Sequence, residues 1–108
     1  MSVIEVNDTS FSKEVLESSL PVLVEFGASW CGPCKKQMPI LELVSGEYSD
    51  KLKVVKIDID DAPDATSKFG VRSVPTLVLF NSGESVSTKV GFSTKDDIKN
   101  HLLSKVNI

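Results

Sequence analysis

Two cysteines stand three residues apart in the segment Trp30-Cys31-Gly32-Pro33-Cys34-Lys35, and they are the only two in this 108-residue chain. Side chains at i and i+3 of a helix's first turn lie on one side, close enough for two sulfurs to join. The segment follows an apolar run and precedes a helical pattern, so it reads as a strand-to-helix junction. Cys31 then stands at the helix N-terminus, where unpaired amides and the macrodipole amount to about half a positive charge. That field favours the thiolate, which is the nucleophile of disulfide exchange. Pro33 suits a first turn, because no backbone donor is needed there and its φ is preset. Cys34, half a turn deeper and at the start of an apolar stripe, is expected to be the less exposed thiol. The asymmetry assigns the attack to Cys31 and the resolving step to Cys34.

Other chemistries open to a cysteine pair fit less well. Tetrahedral zinc needs about four ligands, and His101 is the single histidine, so no metal site is expected. Two inert structural cysteines leave the intervening Gly32-Pro33 at a strand-to-helix junction without a reason. Two cysteines so close in sequence also make no disulfide framework. Redox function is the expectation.

The rest of the composition sets the frame. One domain spanning residues 1–108 is expected, since domains cluster near this length and a chain of this size folds without staples. The 41% hydrophobic and 25% charged content argues against disorder, collagen and coiled coil. A net charge of −3 offers no basic stripe for nucleic acid. No apolar stretch approaches the roughly 18 residues of a membrane span. Met1-Ser2-Val3-Ile4-Glu5 has neither the basic nor the apolar region of a secretory signal, so a cytoplasmic location is the expectation, with a monomer as the default.

The elements that position the cysteines follow from periodicity. Val3 to Val6 reads as a first strand. Asp8, Thr9 and Ser10 are candidate caps for a helix carrying Phe11, Val15 and Leu16 on one face. Val22-Leu23-Val24-Glu25-Phe26 is apolar at consecutive positions, the mark of a central strand covered on both faces. Cys34, Met38, Leu41, Val44 and Tyr48 form a helical stripe, interrupted by a Pro39 expected to kink it. Leu52 to Ile59 is another strand, and Asp61 to Phe69 a short helix stopping at Gly70. Thr76 to Phe80 and Ser85 to Val90 are strands joined through Asn81-Ser82-Gly83-Glu84. Ser93-Thr94-Lys95-Asp96 matches a capping box ahead of a last helix lined by Ile98, Leu102 and Val106. Five strands alternating with four helices, and closing in a hairpin, predict an α/β sandwich with helices on both faces of one sheet.

Here the chain resembles the thioredoxin family, and the likeness covers nearly all of it. Trp30-Cys31-Gly32-Pro33-Cys34-Lys35 carries that family's active-site signature. Pro21-Val22-Leu23-Val24, Lys56-Ile57-Asp58-Ile59-Asp60 and Val74-Pro75-Thr76-Leu77 agree in the right order. The resemblance implies the thioredoxin fold, a three-layer α/β/α sandwich around a mixed five-stranded sheet. It also implies reduction of protein disulfides and recycling by a thioredoxin reductase that uses FAD and NADPH. No cofactor is implied on this chain itself.

Further residues gain meanings from the likeness. By periodicity, Glu25 is a carboxylate in an apolar strand, which must be paired, solvated or protonated. Resemblance makes it a buried proton acceptor beneath Cys34, although the family usually has aspartate there. Lys56 reads alone as a lysine reaching solvent; resemblance places it near that carboxylate, tuning it. Pro75 opens a strand, and by base rate its peptide bond would be trans; resemblance makes it cis and facing the cysteines. Trp30, Gly32, Pro33, Val74, Pro75 and Gly91 would then form an apolar docking rim for targets. Gly27 stands where the family usually has tryptophan, Ser73 where glycine is common, and Phe92 where a small residue is common. Two competing readings are a thiol oxidase or isomerase, and a non-catalytic binding or chaperone-like subunit on the same fold.

Overall fold

A computed structural model describes residues 3–108 of the chain; Met1 and Ser2, part of the N-terminal reading above, lie outside the described residues. Five strands form one sheet: β1 (Ile4–Val6), β2 (Val22–Gly27), β3 (Lys53–Asp58), β4 (Thr76–Asn81) and β5 (Glu84–Val90), in the order β1-β3-β2-β4-β5. β1 and β2 run parallel to β3, while β4 runs antiparallel to β2 and β5. The sheet is therefore mixed. β2 lies at its centre with all six residues buried, which is why its sequence is apolar at consecutive positions.

Four helical regions cover the two faces. α1 (Ser12–Leu16) is a single wide turn, closed by a bond from Glu17 N–H to the Ser12 carbonyl five residues back. α2 (Gly32–Glu47) runs through Pro39 without ending there. α3 (Pro63–Lys68) stops before Gly70, whose φ is +66°. α4 joins three short pieces, Lys95–Asp97, Ile98–Leu102 and Leu103–Lys105.

Strand alternation divides the core in two. Val22, Val24 and Phe26 of β2 face α1 and α3, joining Phe11, Val15, Ala65 and Phe80. The Phe69 and Phe80 rings meet edge to face with centroids 4.9 Å apart. Leu23 faces the other way, with Leu41 and Val44 of α2 and Ile98 and Leu102 of α4. Glu25 and Gly27 share that second face.

Several local expectations are corrected. Asn7, not Asp8, Thr9 or Ser10, caps the turn into α1, its Oδ1 accepting from the N–H groups of Thr9 and Ser10. Asp8 instead accepts from the N–H groups of Asp64 and Ala65, both at 3.0 Å, and so caps α3 from across the chain. The capping box is formed by Thr94 and Asp97, one residue later than Ser93 to Asp96. Thr94 rather than Ser93 has the extended backbone of a cap, and Ser93 is drawn into the interior. The α2 stripe buries Cys34, Leu41 and Val44 as expected, but also Gln37 and Ser45, while Met38 and Tyr48 are only partly covered. Ser82 and Gly83 have φ of 54° and 82° in the β4–β5 turn, and a Cβ on Gly83 would crowd the Leu16 carbonyl at 3.1 Å. A left-handed glycine there satisfies both the turn and the contact.

Candidate functional site

Chain direction and helix polarity set the cysteines. β2 ends at Gly27, and α2 begins at Gly32 with Cys31 as its extended N-cap and Pro33 in the first turn. Cys31 and Cys34 are joined in a disulfide with their Cα atoms 5.3 Å apart. The Cys34 N–H donates to Cys31 Sγ at 3.2 Å, so an orphan amide of the first turn points at the sulfur predicted to attack. The expected difference in exposure is absent from the disulfide form, in which Cys31 is 5% and Cys34 4% exposed. The first-turn amide distinguishes the two sulfurs; accessibility does not.

Beneath Cys34 lies Glu25, 3% exposed, with its Oε2 buried and unpartnered among the described residues. Burial pushes this carboxyl up to about 7, while the charge of Lys56 pulls it down. Lys56 is the register partner of Glu25 on β3, and Glu5 is its partner on β1, so Lys56 stands between two carboxylates on one face. Together with Cys34, Lys35 and Asp58 these residues line a surface pocket of about 300 Å³. Gly27 lines it too. A Cβ there would stand 3.1 Å from Glu25 Oε1 and 3.2 Å from Cys34 Sγ, so carboxyl and sulfur flank one point.

Of the remaining predicted residues, the structure brings Val74 against the disulfide and ties Pro75 to Gly91. Val74 packs against the cluster of Ala28, Cys31 and Cys34. The Val74–Pro75 peptide is cis. The Pro75 carbonyl accepts from Gly91 N–H at 2.8 Å, joining the start of β4 to the end of β5. Gly32 and Pro33 are exposed on the first turn of α2. Trp30 is 66% exposed and donates from Nε1 to Asp60 Oδ2 at 3.1 Å. His101 is exposed, and no metal-ligating cluster occurs among the described residues.

Two positions escaped the sequence reading. Asp60 holds the Trp30 ring, a pairing across thirty residues with no local signal. Gln37 exchanges two hydrogen bonds with Ser93: its Nε2 donates to the Ser93 carbonyl at 2.9 Å, and its Oε1 accepts from Ser93 N–H at 2.8 Å. That pair ties α2 to the segment following Gly91. A legible signal existed, since Gln37 interrupts the buried stripe three residues after Cys34 and four before Leu41.

The geometry is matched by likeness to known proteins. A family model described as Thioredoxin matches residues 2–104. The chain is 50% identical over 93 residues to the thioredoxin of Rickettsia prowazekii (strain Madrid E), covering 86% of this chain and 89% of that one. Against the thioredoxin of Porphyra purpurea it is 46% identical over 102 residues, 94% of this chain and 95% of the relative. Thioredoxin 1 of Synechococcus elongatus (strain ATCC 33912 / PCC 7942 / FACHB-805) is 47% identical over 97 residues, 90% and 91% of the two chains.

Proposed function

The chain belongs to the thioredoxin family, and on that premise we propose how its residues divide the work. The activity is that of a protein-disulfide oxidoreductase acting by dithiol–disulfide exchange through Cys31 and Cys34. In the reduced protein the Cys31 thiolate attacks one sulfur of a target disulfide. The other target sulfur leaves with the electron pair, and a mixed disulfide forms. Cys34 gives its proton to Glu25, and its thiolate attacks Cys31 Sγ. The Cys31–target bond breaks, the Cys31–Cys34 bond forms, and the target has gained two electrons.

Each role has physical support. The Cys34 amide and the helix terminus stabilise negative charge on Cys31. A carboxyl held at about 7 is suited to take a proton and to return it near neutral pH. Lys56 lowers the cost of charging Glu25. Trp30, Gly32, Pro33, Val74, Pro75 and Gly91 supply the face for docking, where the backbone beside Pro75 would pair with an extended target strand. Both electrons reside in two thiols, so the chain needs no cofactor of its own. A thioredoxin reductase, using NADPH and FAD, would restore the dithiol. No helix among the described residues is long and apolar enough to cross a membrane. The cytoplasm, which keeps protein thiols reduced, is where we place the activity, carried by one domain acting as a monomer.

The observation that carries this reading is the Cys31–Cys34 disulfide at the N-terminus of α2, with the Glu25 carboxyl beneath it. Cys34→Ser is expected to keep the attack and to stall as a covalent mixed disulfide on target proteins, recovered by non-reducing electrophoresis. Cys31→Ser is expected to lose both. Reduction that persists in the Cys31→Ser/Cys34→Ser double variant would overturn the reading. Equilibration with a glutathione buffer is expected to give a potential below the glutathione couple. A value near or above it points to the oxidase or isomerase alternative.

A further inference from the structure

We propose that the missing side chain at Gly27 is what sets the Glu25 carboxyl against Cys34 Sγ, which makes Gly27 a positioning residue of the resolving step. The inference rests on the reading that Glu25 takes the Cys34 proton. Glu25 and Gly27 are two residues apart on β2 and face the same side. A Cβ at Gly27 would meet Glu25 Oε1 at 3.1 Å, Cys34 Sγ at 3.2 Å and Cys34 Cβ at 3.4 Å. Something would have to give by a few tenths of an ångström.

What gives is decided by stiffness. The backbone of β2 is paired with β3 through Gly27 and with β4 as far as Phe26, and the Gly27 carbonyl accepts from Ile59 N–H at 2.9 Å. Cys34 is fixed by α2 and, when oxidised, by its disulfide. The Glu25 carboxyl is the free end of a flexible side chain with an unpartnered oxygen. A side chain at position 27 therefore displaces the carboxyl, leaving the sulfur in place in the disulfide form and the Cys34 backbone in place in the reduced one. Lys56 and Asp58 from β3, Glu5 from β1 and Lys35 from α2 line the same pocket, while β4 presents Leu77, which does not titrate. None of these groups is altered by a change at Gly27, so a change in pH dependence reports the Glu25–Cys34 pair that flanks it.

The test separates the two thiol steps with a chromogenic aryl disulfide, whose first thiolate is released by Cys31 and whose second is released by Cys34. The second release is followed from pH 5 to 9. Gly27→Ala is expected to slow the second release about threefold near pH 7 and Gly27→Val about tenfold, small parts of what general-base catalysis contributes. Its pH profile should shift while the first release is unchanged. In a Glu25→Asp background the shorter acid clears the crowded point, so Gly27→Ala is expected to change the second release less than about twofold, the signature of coupled neighbours.

Equal losses from Gly27→Ala in both backgrounds, or none in the parent, would overturn the inference. Glu25→Gln distinguishes the underlying reading: an unchanged second release removes Glu25 as acceptor, whereas a slowed one beside an unaffected Gly27→Ala removes only Gly27. Should the position-27 variants not fold, carbon-13 titration of the reduced parent decides. A Glu25 carboxyl sharing a two-step titration with Cys34 supports the placement. A single step indifferent to Cys34→Ser refutes it.

Discussion

Burying the Glu25 carboxyl opposes folding wherever it carries charge. Its ordinary value of 4.5 is raised to about 7 by desolvation, with Lys56 lowering it only in part. Between these values the folded protein holds a proton that the unfolded chain has released. Stability contributed by the neutral acid is therefore complete below about 4.5 and is lost as pH rises through about 7. The loss amounts to about 3 kcal/mol when the shift is converted at 1.36 kcal/mol per unit. Glu25→Gln has no such proton, so the difference in unfolding free energy between it and the parent should vary with pH in this window. Urea unfolding of the oxidised proteins from pH 4.5 to 9 measures this, and a constant difference would show that the folded carboxyl keeps its ordinary value. Periodicity placed Glu25 inside an apolar strand but left paired, solvated and protonated states equally open. Its state depends on what lies over it, namely α2 and the pocket beside Lys56.

The elements are held in register by a few side chains that reach between them. Gln37 lies on the buried face of α2 and satisfies both backbone groups of Ser93, beyond β5. Gln37→Ala would leave those two groups unpaired in the interior, at a cost of about 1–3 kcal/mol each. Amide exchange should quicken at Gly91, Phe92 and Ser93 while the central β2 amides keep their protection relative to global stability. Uniform quickening would mean that Gln37 supports only the fold as a whole. Asp8 makes a similar connection from the loop after β1 to the first turn of α3. Strand and helix positions were legible, because alternation and the 3.6-residue stripe are written in consecutive residues, except that the last helix ends at Lys105 and leaves Val106 extended. Caps were not: Asn7, Asp8, Thr9 and Ser10 are all suitable by type, and the approach of α3 decided that Asp8 faced outward to a second helix.

The docking face we propose belongs to no single element. Trp30 comes from the β2–α2 junction, Val74 from the approach to β4 and Phe92, 42% exposed, from beyond β5. The backbone on both sides of Phe92 is anchored, Gly91 N–H to the Pro75 carbonyl and Ser93 to Gln37. An aromatic side chain presented so rigidly adds apolar area at little entropic cost. Phe92→Ala is expected to lower kcat/KM for protein disulfides about fivefold to tenfold, as loss of one interfacial aromatic does. Reduction of a small aryl disulfide should be unchanged; an equal fall in both would assign Phe92 to the chemistry instead. What the sequence determined by itself was local: a cysteine pair at helical spacing, a proline fit for a first turn, and patterns that dictate strands and helices. Those depend on neighbours within a few residues. Only the tertiary structure decided that Glu25 and Cys34 flank the space left by Gly27, that Asp60 holds Trp30, and that Gln37 meets Ser93. A hydrogen bond or a contact requires atoms about 3 Å apart, and periodicity specifies the face of an element but not the atom that another element brings to it.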